Sequence, residues 1–479
     1  MVPIINPKST IAFQDCIYNY NEICKKISIC RKAIKSDIAG RKIAIYANIS
    51  DKILFFILAI LTTNCSYIPI DSTIPEKRLK NILTQIDADI IITEQKFSNL
   101  FKGKNIIIVD DINWDTDSVV TVPTYQLGEG IAYTIFTSGS TGEPKGVSIS
   151  KKALNNFLEG TKKVIDYSIG TKNICISSIS FDMFVIETIF ALYVGFELTL
   201  ADNTTRLNPK KLLSLIKKNN IDTLMITPGR LKIFELLDSQ FKTLRQIKLI
   251  IVGGESISDS IFKEFVINNK TAKFYNAYGP TETTVYISYR ELHTDSKIDI
   301  GEPIQNSDFY LINDENNILY GDFTGELCIS GDSLFEGYVK NPQETNDRYV
   351  YIPEIKKKVY KTGDICHRCN NKYYWLGRKD NQIKLNGYRI EIEDIEKIIK
   401  NYIYIDEAVI LSKYIESSSS YILILIIKVN TGYCESNLNK YMRKNLPPYM
   451  LPQIIKIVEK IPYNDNGKLD RNKLKELYL

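Results

Sequence analysis

The sequence predicts an α/β fold: a large N-terminal domain of helix-flanked sheets with a small β-subdomain, followed by a small α+β C-terminal domain. Three observations predict it. Strand-like and helix-like segments alternate through most of the chain, the pattern of parallel sheets sandwiched by helices. Near residues 378–380 that alternation gives way to short strands and single helices. The length, 479 residues, exceeds what one compact core holds, so at least two domains are expected, here 1–379 and 380–479.

The elements follow in order. Residues 42–47 read as a strand, 52–61 as a helix, 90–93 as a strand, and 131–137 and 147–150 as strands on either side of a polar loop. Strands are expected at 223–227, 248–252 and 272–276, with a helix at 258–268. Residues 309–312 and 326–330 read as strands of a smaller antiparallel unit. Beyond the boundary come short strands at 382–385 and 389–391, a helix at 394–401, and strands at 408–412 and 421–429. The serine run 417–420 between the last two is expected to be a hairpin loop, and no internal repeat is evident.

Composition narrows the function classes. Lys and Arg number 61 against 56 Asp and Glu, a net +5 spread along the chain without a basic stripe, so no nucleic-acid partner is expected. The longest apolar run, 53–61, is far short of the roughly 20 residues a membrane span needs, so no membrane partner is expected. The first residues lack a basic-then-apolar leader, and nine cysteines scattered over the chain suit a reducing compartment, so a cytoplasmic monomer is expected. Cys366 and Cys369 form one isolated Cys-x-x-Cys, which lacks the second pair of a structural zinc site. Two histidines in all argue against Ser-His or Cys-His nucleophilic chemistry.

The most informative stretch is 134–146. It sets the hydroxyls of Thr137, Ser138, Ser140 and Thr141 among Gly139 and Gly142, and closes with Lys145. Hydroxyls and backbone N–H groups on a glycine loop suit polyphosphate oxygens, and the lysine adds a point charge. A strand is expected after the loop, whereas a Walker A loop opens a helix, so this is a different phosphate loop.

Taken in order, the motifs resemble those of adenylate-forming enzymes, and among them the amino-acid-activating adenylation domains of nonribosomal peptide synthetases. The resemblance covers nearly the whole chain. It rests on 18–22, 67–71, the phosphate loop, Phe181-Asp182, 276–282, 325–331, 360–364, 377–391 and 466–471. It implies ATP and Mg²⁺ as cofactors and a mobile C-terminal domain. Within 276–282, Asn276, Ala277, Tyr278 and Gly279 would bind the nucleotide, with the Tyr278 ring covering adenine. Thr281 offers a hydroxyl to the α-phosphate, and Glu282 is a hard oxygen ligand for Mg²⁺. Asp364 follows a glycine, so its carboxylate is expected exposed at a turn, where the family's aspartate binds ribose with help here from Arg378. Lys468 matches the lysine that neutralises charge as a carboxylate attacks the α-phosphorus. A hinge is expected at Asp380, and rotation there would exchange Lys468 for 384–389; Asn386 departs from the arginine common in the family.

By the same matching, Asp182 pairs with a substrate ammonium, because a carboxylate in a pocket needs a cation. Met183, Ile186, Gly229, Ile251, Gly253, Ala277, Val285 and Tyr286 would line the side-chain pocket. None is charged, and Gly229, Gly253 and Ala277 are expected to leave volume for a mid-sized or large apolar or aromatic side chain; Tyr286 offers one hydrogen bond. The implied activity is ATP-dependent formation of a neutral aminoacyl-AMP, then transfer to the phosphopantetheine thiol of a carrier protein. With no carrier motif after Arg471, that carrier is expected to be a separate protein. The alternative is a D-alanyl carrier protein ligase, whose subfamily resembles 384–396 but carries a cysteine at the position of Gly253. A coenzyme A ligase is disfavoured by Asp182, and an inactive binding module by the joint presence of Lys145, Glu282, Asp364 and Lys468.

Overall fold

The computed structural model describes residues 3–35, 40–115, 125–139, 143–385, 387–415, 420–463 and 469–479. The chain forms two compact units. The first comprises Met1–Ser72, Gln85–Phe136 and Gly146–Lys379; the second comprises Thr73–Thr84, Thr137–Lys145 and Asp380–Leu479. The fold is mixed α/β. Its main sheets, among the described residues, have nine, seven and five strands, and helices flank the first two.

The nine-stranded sheet has a parallel centre in the order Lys273–Tyr278, Leu249–Gly253, Thr223–Ile226, Lys172–Cys175, Glu197–Leu200 and Thr10–Phe13. Antiparallel strands Ser288–Leu292 followed by Glu302–Pro303 on one side, and Cys16–Tyr18 on the other, complete it. The seven-stranded sheet is centred on Ser66–Asp71, Lys42–Ala47 and Ile90–Thr93, again parallel. The five-stranded sheet is antiparallel throughout and is the expected β-subdomain. In the second unit, Ile383–Leu385 pairs with Tyr388–Ile390, and Ile405–Ile415, Ser420–Val429 and Ile454–Ile457 form a sheet beside helices Ile392–Lys400 and Glu435–Asn445.

Alternation along the central strands distributes their side chains between two cores. Ile250 and Val252 join one cluster with Leu224, Ile226 and Phe274. Leu249 and Ile251 join the other with Met225, Tyr275 and Ala277. The apolar run 53–61 lies in helix Asp51–Leu61, where Ile53 to Leu61 are all at most 1% exposed. A helix apolar all round is one covered on every side, and Ser50 caps its start by accepting from Ile53 N.

Most expected elements occur within two residues of their places. The strand expected at 408–412 runs over Ile405–Ile415, because antiparallel pairing with Ser420–Val429 continues past the apolar stretch, with Ile415 opposite Ser420. Residues 416–419, which hold most of the serine run, lie outside the described residues. Cys366 and Cys369 sit on strand Lys357–Cys369 three positions apart, so alternation turns them to opposite faces.

One buried cation ties the first unit together. Lys151 is 2% exposed and donates to the carbonyls of Thr63, Cys65 (2.8 Å) and Glu129 (3.2 Å). Lys151→Met keeps the apolar stem and strips the shared donor from these carbonyls. A loss of about 2–4 kcal/mol is expected, read as a lower urea midpoint of unfolding.

Candidate functional site

Two neighbouring parallel strands lay the floor of the site. Ile251 pairs with Tyr275 and Gly253 with Ala277, so these four residues share one face. Ile251 is fully buried and Ala277 is 4% exposed. Met183 and Ile186, from the helical segment 183–194, are equally buried and belong to the same core cluster. Within that segment Ile186–Phe190 is π-helical, and the Glu187 carbonyl accepts from Asn173 Nδ2 at 2.6 Å. The buried Glu187 carboxylate meanwhile accepts from Ile176 N, Ser177 N and Ser177 Oγ, fixing the chain that leads to Asp182. Asp71, last residue of the motif 67–71, adds a second anchor by accepting from Ser178 Oγ at 2.6 Å.

Asp182 stands at the N-terminal cap position of this helix, yet its side chain makes no capping bond. Its Oδ2 instead accepts from Thr281 Oγ1 at 2.6 Å. Two tyrosine hydroxyls nearby, of Tyr133 and Tyr286, are buried with no hydrogen-bond partner among the described residues. Burial pushes both phenols well above their ordinary range, and the charge of Asp182 adds to the shift in each. Sequence reasoning missed Tyr133. Its place on strand Ile131–Thr137, leading into the phosphate loop, was the available signal.

The loop 279–286 carries backbone strain. Thr284 and the β-branched Val285 both adopt left-handed conformations, at φ of 63° and 66°. Thr284 Oγ1 donates to Ser333 O at 2.7 Å and Thr283 Oγ1 to Pro280 O at 2.9 Å. At Gly279 a Cβ would lie 2.6 Å from Val285 O, so only glycine admits this return of the chain. The turn delivers the Tyr286 ring onto Gly253, where an added Cβ would lie 2.7 and 2.8 Å from ring atoms Cε1 and Cζ. That corrects the expectation that Gly253 leaves volume, because the space it leaves is filled by Tyr286. Gly229 is buried, and its N–H donates to Glu255 Oε2 at 3.3 Å, which brings a carboxylate to a wall expected to be neutral.

Asp364 is corrected in a different way. It lies within strand Lys357–Cys369, not at an exposed turn, and is 5% exposed. Gly363, at φ 74°, and a register shift between Ile365 and Cys366 kink the strand there. Three donors converge on the carboxylate: Tyr278 Oη at 2.6 Å, Trp375 Nε1 at 2.9 Å and Arg378 Nη1 at 3.2 Å. A carboxylate offers about four acceptor sites, so this set leaves capacity for a further hydroxyl. Burial, then the Asp364 charge, holds the Tyr278 phenol well above its usual range. Asn276 donates from Nδ2 to Asp299 O at 2.8 Å. Glu282 is fully buried, with Oε1 accepting from Tyr338 Oη at 2.7 Å. Neither Trp375 nor Tyr338 was singled out from sequence.

The phosphate loop joins strand Ile131–Thr137 to strand Lys145–Ser150, so a strand and not a helix follows it. The Thr137 hydroxyl is buried with no partner among the described residues. Within the second unit, Ser138 Oγ donates to Arg389 O at 2.7 Å and accepts from Glu391 N at 3.1 Å, and Gly139 N donates to Asp394 Oδ2 at 3.2 Å. Lys145 is 4% exposed. Ser140, Thr141, Gly142, Asn386 and Lys468 lie outside the described residues. Asp380 begins the last segment of the second unit, and its Oδ1 accepts from Gln382 N at 3.3 Å.

A family model described as AMP-binding enzyme matches residues 7–339. The chain belongs to that family. AMP-binding enzymes use ATP, and as one of them this chain is an adenylate-forming ligase. It is 31% identical over 440 residues, 91% of its length, to gramicidin S synthase 2 of Aneurinibacillus migulanus. It spans only about a tenth of that relative, 10%. Among solved structures, the AMP-binding fold matches the Vibrio cholerae adenylation domain AlmE in complex with glycyl-adenosine-5'-phosphate. The TM-score is 0.86 at 19% identity, covering 99% of this chain and 96% of that one. It also matches NpsA-ThdA, an artificially fused adenylation-PCP di-domain from Klebsiella oxytoca, with TM-score 0.80 at 21% identity, covering 93% and 90%. Among the described residues no helix is long and apolar enough to cross a membrane.

Asp364→Ala would leave the Tyr278, Trp375 and Arg378 donors without their common acceptor. A loss of about 3–5 kcal/mol is expected, seen as a lowered melting temperature together with altered tryptophan emission.

Proposed function

We propose that this ligase activates a neutral α-amino acid with ATP and then transfers the aminoacyl group to the phosphopantetheine thiol of a carrier protein. Asp182 carries the amino-acid half of the proposal. Its carboxylate is held by Thr281 at 2.6 Å beside two tyrosine hydroxyls without partners among the described residues, a setting in which a substrate ammonium is the fitting counter-ion. The relatives named above support the same class. One is a gramicidin S synthase, one was solved with glycyl-adenosine-5'-phosphate, and one is fused to a PCP domain.

In the first step a carboxylate oxygen of the amino acid bonds to the α-phosphorus. The bond from that phosphorus to the bridging oxygen breaks, and pyrophosphate leaves with the electron pair. Thr137, Ser138, Gly139, Ser140, Thr141, Gly142 and Lys145 are proposed to hold the phosphates. Asn276, Ala277, Tyr278 and Gly279 are proposed around the adenine, and Asp364 with Arg378 at the ribose. Lys468 would neutralise the charge developing at the α-phosphate, and Thr281 would offer that phosphate a hydroxyl. Glu282 fits Mg²⁺ as one hard oxygen donor. When bound, the ion offsets phosphate charge. In the second step the thiol sulfur bonds to the carbonyl carbon, the acyl–phosphate bond breaks, AMP leaves, and the thiol proton passes to solvent. Asp380 is the proposed hinge between the two steps.

A second reading, D-alanyl carrier protein ligase, is favoured by one observation: the Tyr286 ring on Gly253 fills the space the cysteine of that subfamily would take.

Amino-acid-dependent pyrophosphate exchange across the neutral L-amino acids and D-alanine tests the proposal. Exchange driven only by fatty or aryl acids would remove its basis. Asp182→Asn should cost about 2–5 kcal/mol of transition-state binding, a fall in kcat/KM of about 30- to 4,000-fold. Lys468→Ala should lower the exchange rate by about 100- to 1,000-fold with little change in unfolding midpoint.

A further inference from the structure

The position of Tyr286 has a consequence for the size of the substrate. On the amino-acid reading, a side chain directed from an ammonium at Asp182 onto the sheet face shared by Ile251 and Gly253 would meet Tyr286. Its ring lies against the Gly253 backbone, closely enough that a Cβ there would meet Cε1 at 2.7 Å. Its hydroxyl lies close enough for the Asp182 charge to act on it.

The ring is also held in place. Thr284 and Val285 precede it in left-handed conformations, and Thr284 is tied to Ser333 O at 2.7 Å. Gly279 packs so tightly under the turn that a Cβ there would lie 2.7 Å from Tyr286 Cα. An edge contact with Tyr289, centroids 6.0 Å apart at 75°, braces the ring, and Tyr289 Oη is itself bonded to Thr161 Oγ1 at 2.9 Å. Withdrawing the ring would mean rebuilding a buried, strained turn.

We infer that Tyr286 sets the substrate's size, limiting it to an α-amino acid with a side chain no larger than methyl or hydroxymethyl: glycine, alanine or serine, of either hand. The inference rests on the amino-acid reading given above. The buried Tyr286 hydroxyl, without a partner among the described residues, is a polar group this arrangement offers to such a small ligand.

Pyrophosphate exchange measured with glycine, L-alanine, D-alanine, L-serine, L-leucine and L-phenylalanine tests this. One methylene in an apolar pocket is worth about 10- to 200-fold, so the best of the first four should exceed leucine and phenylalanine by at least about 100-fold in kcat/KM. Tyr286→Ala should raise the ratio of phenylalanine to glycine at least about tenfold, chiefly through a lower KM for phenylalanine. Tyr286→Phe keeps the ring and should hold that ratio within about threefold, which separates ring volume from the hydroxyl. Wild-type preference for leucine or phenylalanine overturns the inference and leaves the amino-acid reading standing. So does an unchanged ratio in Tyr286→Ala. Exchange with no α-amino acid overturns both. If Tyr286→Ala fails to fold, the wild-type profile and Tyr286→Phe decide the matter.

Discussion

The hydroxyl of Thr281 donates to Oδ2 of Asp182 at 2.6 Å, and that bond joins the loop after strand Lys273–Tyr278 to the start of the helical segment at Met183. Residues assigned from sequence to opposite ends of the reaction, one for phosphate and one for ammonium, are in fact hydrogen-bonded neighbours. The joint has support on both sides. Glu187 and Asp71 secure the chain that carries Asp182, while bonds from Thr283 and Thr284 brace the loop that carries Thr281. A hydroxyl whose proton is committed to a carboxylate presents lone pairs to other ligands, so the state of Asp182 governs what Thr281 can offer.

A second buried carboxylate organises the nucleotide side. Asp364 gathers a phenol, an indole and a guanidinium within 3.2 Å. Each donor comes from a different stretch of the chain or a different strand position, and together they orient the Tyr278 ring from its hydroxyl end. Buried charge of this kind is tolerable because hydrogen-bond donors hold it. Glu282, fully buried and held by Tyr338, follows the same rule.

Much of the architecture could be read along the chain. The central strands 42–47 and 131–137 were identified at their full extent, because each is rich in apolar and β-branched residues and bounded by polar or glycine residues. Strands Thr10–Phe13, Lys172–Cys175 and Glu197–Leu200 were not, since each has only four residues and owes its strand state to partners far away in sequence. Which side chains the motifs supply was legible from their order; the packing of those side chains was not. Gly253 looked like open space because a missing side chain suggests room, and a ring arriving from thirty-three positions along the chain is invisible to any local rule.

Sequence by itself therefore determined the fold class, the order of the motifs and the chemistry of the groups supplied, since these depend on residue type, periodicity and spacing. Only tertiary structure decided which of those groups meet. The left-handed turn at Thr284 and Val285, the ring over Gly253 and the burial of Asp364 inside a kinked strand all arise from contacts between distant segments. The physical reason is that side-chain volume and hydrogen-bond satisfaction are settled by close packing among neighbours in space, which local propensity does not encode.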